Sequence, residues 1–184
     1  MFEAVGNNSN LADVYQAISS VHFHYHRFPD ALDALEEAWK YAKLTADRDL
    51  QTCISLEFVR IFFITDQDTK VWKYIEIILE NGSYIGNHIH VACALDYMGY
   101  GYLRRGDYQN AYVAYEAADE KYSCTIFDMA MGPCKDNMTR IELKRGNPDT
   151  EVGFNRPVPV LGYDQTLFYP PVQAFSSERP VSPS

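Results

Sequence analysis

The chain has little that would let it do chemistry by a known route. It contains no Gly-x-Ser-x-Gly, no glycine-rich phosphate loop and no His-Glu-x-x-His, so the commonest nucleophile, nucleotide and zinc-protease signatures are absent. Its four cysteines, Cys53, Cys93, Cys124 and Cys134, form no Cys-x-x-Cys pair. Free thiols in a reducing compartment are expected rather than a disulfide framework. No apolar run approaches the ~20 residues that a membrane-spanning helix needs. The start, MFEAVGNNSN, lacks the basic and apolar regions of a secretory leader. Positive charge is also scarce: 16 Lys and Arg against 25 Asp and Glu leave a formal charge of −9. Neutralising phosphates requires a basic field, so nucleic acid is a poor candidate partner. A soluble chain is expected, cytoplasmic or else nuclear, with no membrane partner. Proline is rare before residue 148, with only Pro29 and Pro133, and this permits long helices.

What is present is apolar, aromatic and periodic. Hydrophobic residues make up 47% of the chain, and 14 Tyr and 10 Phe dominate the aromatics. That composition suits an ordered core with partly wet packing surfaces. A chain of this length buries about 70% of its unfolded surface, enough for a core without staples.

The decisive pattern is a repeat. Tyr15, Ile18, Ser19, His22, Phe28, Ala31, Leu35 and Ala38 recur 80 residues later as Leu95, Met98, Gly99, Tyr102, Tyr108, Ala111, Tyr115 and Ala118. Half that displacement gives Ser55, Phe58, Val59, Phe62, Asp68, Val71, Ile75 and Ile78, where Asp68 alone clearly fails. Within each unit the apolar steps of three, four and seven trace one face of an α-helix. Breaks recur at Phe28-Pro29-Asp30, at Ile64 to Asp68 and at Arg105-Gly106-Asp107. Asn10 with Asp13, and Asn87, are candidate starts of first helices. Each unit is therefore a helix–turn–helix. Small residues, Ser19 and Gly99 against Ala31 and Ala111, let the paired helices approach.

Unit three carries Leu95-x-x-Met98-Gly99-x-x-Tyr102, Gly106-x-Tyr108-x-x-Ala111 and Tyr115-x-x-Ala118. This resembles the tetratricopeptide repeat, and the likeness extends over residues 12–122. The pitch of forty exceeds the usual value of about 34, so the helices or turns must be longer. The resemblance implies an all-α, right-handed superhelix of three helix pairs. A polar-faced helix from Pro133 to Arg145, stopped by Gly146-Asn147-Pro148, would cap it. The repeat domain is read as 10–146. Residues 147–184 hold seven of the nine prolines yet keep Phe154, Tyr163, Phe168 and Tyr169, which predicts an extended tail. Residues 153–175 are expected to dock on the array, with 176–184 disordered.

The same resemblance implies a concave groove lined by the first helices, and a non-enzymatic adaptor that binds a protein or peptide segment there. The groove positions that would bind the partner are Gln16, Ser20, Phe23, Arg60, Phe63, Asp96, Tyr100, Arg104 and Arg140. Aromatic platforms beside three arginines suit an extended peptide with apolar anchors and acidic groups. The alternative for these arginines is pairing with neighbouring carboxylates. Chaperone-tail binding is disfavoured, because the carboxylate-gripping places fall on Gln16, Ser20, Glu57, Cys93 and Tyr97.

No cofactor, metal ligand or catalytic residue is expected. His22, His24 and His26 point in different directions on a helix, and only the first and last could share a metal. His22 falls on an inward packing position and His26 at the turn. Asp47 with Asp49 and Asp66 with Asp68 precede helices and read as caps. Two other functions remain open: a small metal protein or enzyme built on the His and Cys residues, and a structural subunit of a helical-repeat assembly.

Overall fold

The computed structural model describes residues 2–124 and 131–146; the side chains of 2–6 and 131–133 are not described. The expected extended tail at 147–184, its docking and its disordered end lie outside these residues. The described chain is all-α. Seven helices follow in order: α1 (Phe2–His24), α2 (Phe28–Ala42), α3 (Arg48–Ile64), α4 (Asp68–Ile85), α5 (His88–Arg104), α6 (Tyr108–Ser123) and α7 (Met131–Gly146). They pack in neighbouring pairs. The most extensive contacts join α1 to α2, α3 to α4, and α5 to α6; α4 then packs on α5, α7 on α6, and α2 more sparsely on α3.

The forty-residue register is visible in the backbone. α1, α3 and α5 each end on a residue in the left-handed region, at His26 (φ 57°), Asp66 (φ 56°) and Gly106 (φ 74°). The amide that follows each reaches back to a carbonyl five residues earlier: Arg27 to His22 at 2.9 Å, Gln67 to Phe62 at 2.8 Å, and Asp107 to Tyr102 at 3.0 Å. This is the Schellman closure of a helix C-terminus, which satisfies carbonyls that the helix leaves orphaned. The turns between pairs do not repeat. α2 ends on a right-handed Lys43, whereas α4 ends on a left-handed Gly86.

The second helices share one burial pattern. Ala31, Leu35 and Ala38 on α2, Val71, Ile75 and Ile78 on α4, and Ala111, Tyr115 and Ala118 on α6 are all essentially inaccessible. These positions face the core at steps of four and three. Gly99 on α5 is a true close-approach site, since a Cβ there would stand 3.0 Å from the Tyr115 ring.

Side-chain caps open α3, α5 and α6. Asp47 accepts from the Leu50 amide at 3.0 Å, Asn87 from Ile89 and His90 at 3.1 and 3.2 Å, and Asp107 from Asn110 at 3.1 Å. Pro29 sits in the first turn of α2, where its missing N–H costs nothing. Two readings of the sequence need correction. α1 begins at Phe2 rather than near Asn10, running through an Asn-rich stretch that reads as a cap. Asp66 and Asp68 do not cap α4, whose N-cap is Gln67 with no side-chain bond. Both instead bind Arg104 of the next pair, described below.

A left-handed backbone costs an L-residue about 1 kcal/mol that glycine avoids. Gly106→Ala should therefore lower unfolding stability by about 1 kcal/mol, while His26→Gly should lose nothing or gain a fraction of that amount. Urea unfolding followed by circular dichroism measures both; shifts of the same sign would contradict the shared geometry.

Candidate partner-binding face

Helices α3, α5 and α7 carry the three arginines of the expected groove, Arg60, Arg104 and Arg140. Arg60 on α3 pairs with Glu57 one turn earlier, and its guanidinium lies 4.0 Å over the Phe23 ring of α1. Glu57 is deeply placed, and burial holds its carboxyl above the usual range, with Arg60 opposing. A cation sandwiched between a carboxylate and an aromatic face is held in position rather than left to sample rotamers.

Arg104, near the end of α5, closes the α3–α4 turn of the preceding pair. It donates from Nη1 to the Phe63 carbonyl at 3.0 Å, from Nη2 to Asp66 Oδ1 at 2.6 Å and from Nε to Asp68 Oδ2 at 2.7 Å. One guanidinium thus satisfies a C-terminal helix carbonyl and both carboxylates of the turn. This explains why Asp68 breaks the apolar repeat. Arg140 pairs with Asp136 one turn before it on α7 at 2.9 Å. All three arginines of the expected groove are therefore tied to carboxylates of the array.

The other expected positions divide by depth. Ser20 is exposed, while Gln16 and Phe23 are half-buried. Phe63, Asp96 and Tyr100 are buried, at 3%, 1% and 9% exposure. They do not form an open lining: neighbouring first helices press Phe63 flat against Tyr97, centroids 6.0 Å apart, and edge-on against Tyr100 at 5.1 Å. Phe23 with Arg60, and Phe63 with Tyr100, are brought together; Gln16 and Ser20 lie on α1 with Phe23, and Arg140 lies on α7.

Beneath this face lies a polar cluster that the repeat pattern does not announce. Asp96 sits in the middle of α5 with the Cys134 thiol of α7 donating to it, and its Oδ1 has no partner among the described residues. Burial pushes its carboxyl up to about 7, with the Cys134 hydrogen bond opposing. Asn137 of α7 donates to the Tyr115 hydroxyl of α6 at 3.1 Å, and the Tyr122 hydroxyl approaches Cys93 Sγ at 3.5 Å. The Tyr97 hydroxyl is also buried without a partner among the described residues. The signal in the sequence was a lone carboxylate inside the apolar run of α5, at Asp96.

These groups are poor chemical reagents. Burial drives the Cys134 thiol far up, and burial followed by the nearby Asp49 carboxylate pushes Cys53 up to about 12, so neither offers a thiolate near neutral pH. His90 lies 3.4 Å from Asp49 but is buried, and burial lowers its affinity for a proton. His22 stands 3.6 Å from Asp30, joining α1 to α2, while His24 and His26 are exposed. Among the described residues no group of three His, Cys, Asp or Glu side chains stands close enough to hold a metal ion. Among the described residues no helix is long and apolar enough to cross a membrane. Elsewhere, a recess of about 440 Å³ opens between α2, α3 and α4, bordered by Trp39, Arg48 and Asn81. Arg48 is already bonded there to Asn81 Oδ1 at 3.1 Å and lies 4.1 Å over the Tyr84 ring.

Comparison with families of proteins, with curated proteins and with solved structures finds no match to this chain. Its own geometry therefore carries the functional reading.

Asp96 makes stability depend on pH. Its ordinary value of 3.8 applies to the unfolded chain and about 7 to the folded one. Between these values the folded protein keeps a proton that the unfolded chain has lost, so stability falls as pH rises, and above about 7 the penalty is fully present. The descent should amount to a few kcal/mol, on the order of 1.4 per unit. Asp96→Asn should flatten it. Urea unfolding at about pH 5 and about pH 8 tests this, since an unchanged slope in the variant would place the linkage elsewhere.

Proposed function

We propose that the chain is a right-handed, tetratricopeptide-like array of three helix pairs capped by α7, and that it works as a non-enzymatic adaptor holding a protein or peptide segment against its first helices. The observation that carries this reading is the identical closure of α1, α3 and α5 at His26, Asp66 and Gly106. A repeated turn sets each helix pair at the same hairpin geometry, and stacking such hairpins aligns their first helices on one side. The long pitch is accommodated by long helices, 17 and 18 residues in α3 and α4.

The accessible contact set is narrower than the nine residues of the sequence reading. Ser20, Gln16 and Phe23 on α1, with Arg60 beside Phe23, form the surface that a ligand meets first. An apolar side chain of the ligand would seat against Phe23, and an acidic one beside Arg60, which already shares its charge with Glu57. Arg104 serves the turn between α3 and α4 and is not counted as a ligand contact. Extended peptides gain from such surfaces through a few aromatic anchors rather than through total area.

Selection from a displayed peptide library tests the reading. Wild-type protein should enrich sequences that share apolar and acidic positions. Phe23→Ala and, independently, Ser20→Glu should each weaken the selected peptides about tenfold or more, a loss of roughly 1.4 kcal/mol. Ser20 is exposed, so its variant keeps the fold. Failure to enrich any shared motif, or binding indifferent to both variants, would end the proposal.

A further inference from the structure

α1 is apolar on two sides. Ala12, Tyr15 and Ser19 turn toward the core, whereas Val14, Ile18, Val21 and Tyr25 stand in water at 54%, 40%, 53% and 65% exposure. The exposed residues follow steps of four, three and four, the spacing of a helix-pairing seam. The repeat shows what this seam is. Forty residues on, the same positions are Ile54, Phe58 and Ile61, all at 1% exposure or less. Forty further they are Ala94, Met98 and Gly101; Ala94 is fully buried, and a Cβ on Gly101 would lie 3.1 Å from Trp72 of α4. On α3 and α5 neighbouring helices close these three positions, with Tyr74 of α4 on Phe58 and Trp72 of α4 over Gly101, while the fourth, Tyr25, recurs as Thr65 and the exposed Arg105. In the first pair no preceding pair covers them among the described residues.

We propose that a second copy of this chain covers the seam, α1 against α1 in a head-to-head dimer. Two observations favour that occupant. The opposite end of the array is covered by α7, whose exposed residues Lys135, Thr139, Glu142 and Arg145 stand beside one exposed apolar residue, Leu143, so head-to-tail stacking would place the apolar seam on a mostly polar face. A seam that meets only its own kind closes as a two-fold pair. Charge points the same way. Between Asn7 and Val21 the sole formal charge on α1 is Asp13, in a molecule of net charge −9. This helix is thus the surface on which two copies meet without setting like charges in rows. The contact is small: the seam from Val14 to Tyr25 is about 17 Å long and, at helix width, offers about 200 Å² per copy. That is about a quarter of a standard interface, so the dimer is weak and concentration-dependent.

Sedimentation of the full chain across the micromolar range tests this. The mass should rise from one chain to two and no further, and Ile18→Glu should hold it at one chain with helicity unchanged by circular dichroism. The milder pair Val14→Ser/Val21→Ser should weaken association at least tenfold, which keeps the test valid if the charged variant unfolds. A one-chain mass throughout would overturn the proposal, as would a dimer that persists in folded Ile18→Glu. If the monomer also shields Ile18→Cys from a maleimide, the chain's own residues cover the seam and the second copy is excluded.

Discussion

Each helix pair depends on one residue being able to sit at positive φ. The reversal at His26, Asp66 and Gly106 lets the following amide reach back and satisfy a carbonyl that the ending helix cannot use. That closure fixes the angle at which the second helix leaves, and with it which residues of the second helix face the first. The identical burial at 31, 71 and 111, at 35, 75 and 115, and at 38, 78 and 118 follows from this shared geometry. Glycine occupies the position only once. Histidine and aspartate hold it elsewhere, and Asp66 gains in return a bond from Arg104 that a glycine could not accept.

The pairs are then joined by polar groups of unequal depth. Arg104 reaches from α5 to the turn between α3 and α4, so α5 stabilises that reversal. Deeper down, Asp96, Cys134, Asn137, Tyr115, Cys93 and Tyr122 connect α5, α6 and α7. Such a cluster adds little net stability, since a buried carboxyl with an unpartnered oxygen is costly. Its effect is orientation: α7 carries few apolar residues, and the bonds to Asp96 and Tyr115 specify where it docks.

Much of this was legible from the residues. Apolar steps at helical spacing, read at two displacements, located α2 through α6 because core packing imposes periodicity on every unit. Asn87 and Asp107 announced the helices they cap, because a cap acts within three residues of itself. The misreadings share a cause in distance. Asp66 and Asp68 looked like caps because their partner, Arg104, lies nearly forty positions away. The burial of Phe63, Asp96 and Tyr100 was not legible, because the helical wheel of one unit does not show how closely the next unit packs. The early start of α1 was hidden by Asn7, Asn8 and Asn10, which favour caps but are carried into the helix here.

The turns that end α1, α3 and α5 share one closure, which Gly86 repeats after α4, and this closure organises how neighbouring helices pack. Native-state hydrogen exchange of the backbone amides of Arg27, Gln67 and Asp107 tests it most directly. Their bonds to the carbonyls of His22, Phe62 and Tyr102 should slow exchange well below that of an open turn at all three sites. Exchange at the rate of an unstructured loop at any of the three would contradict the account.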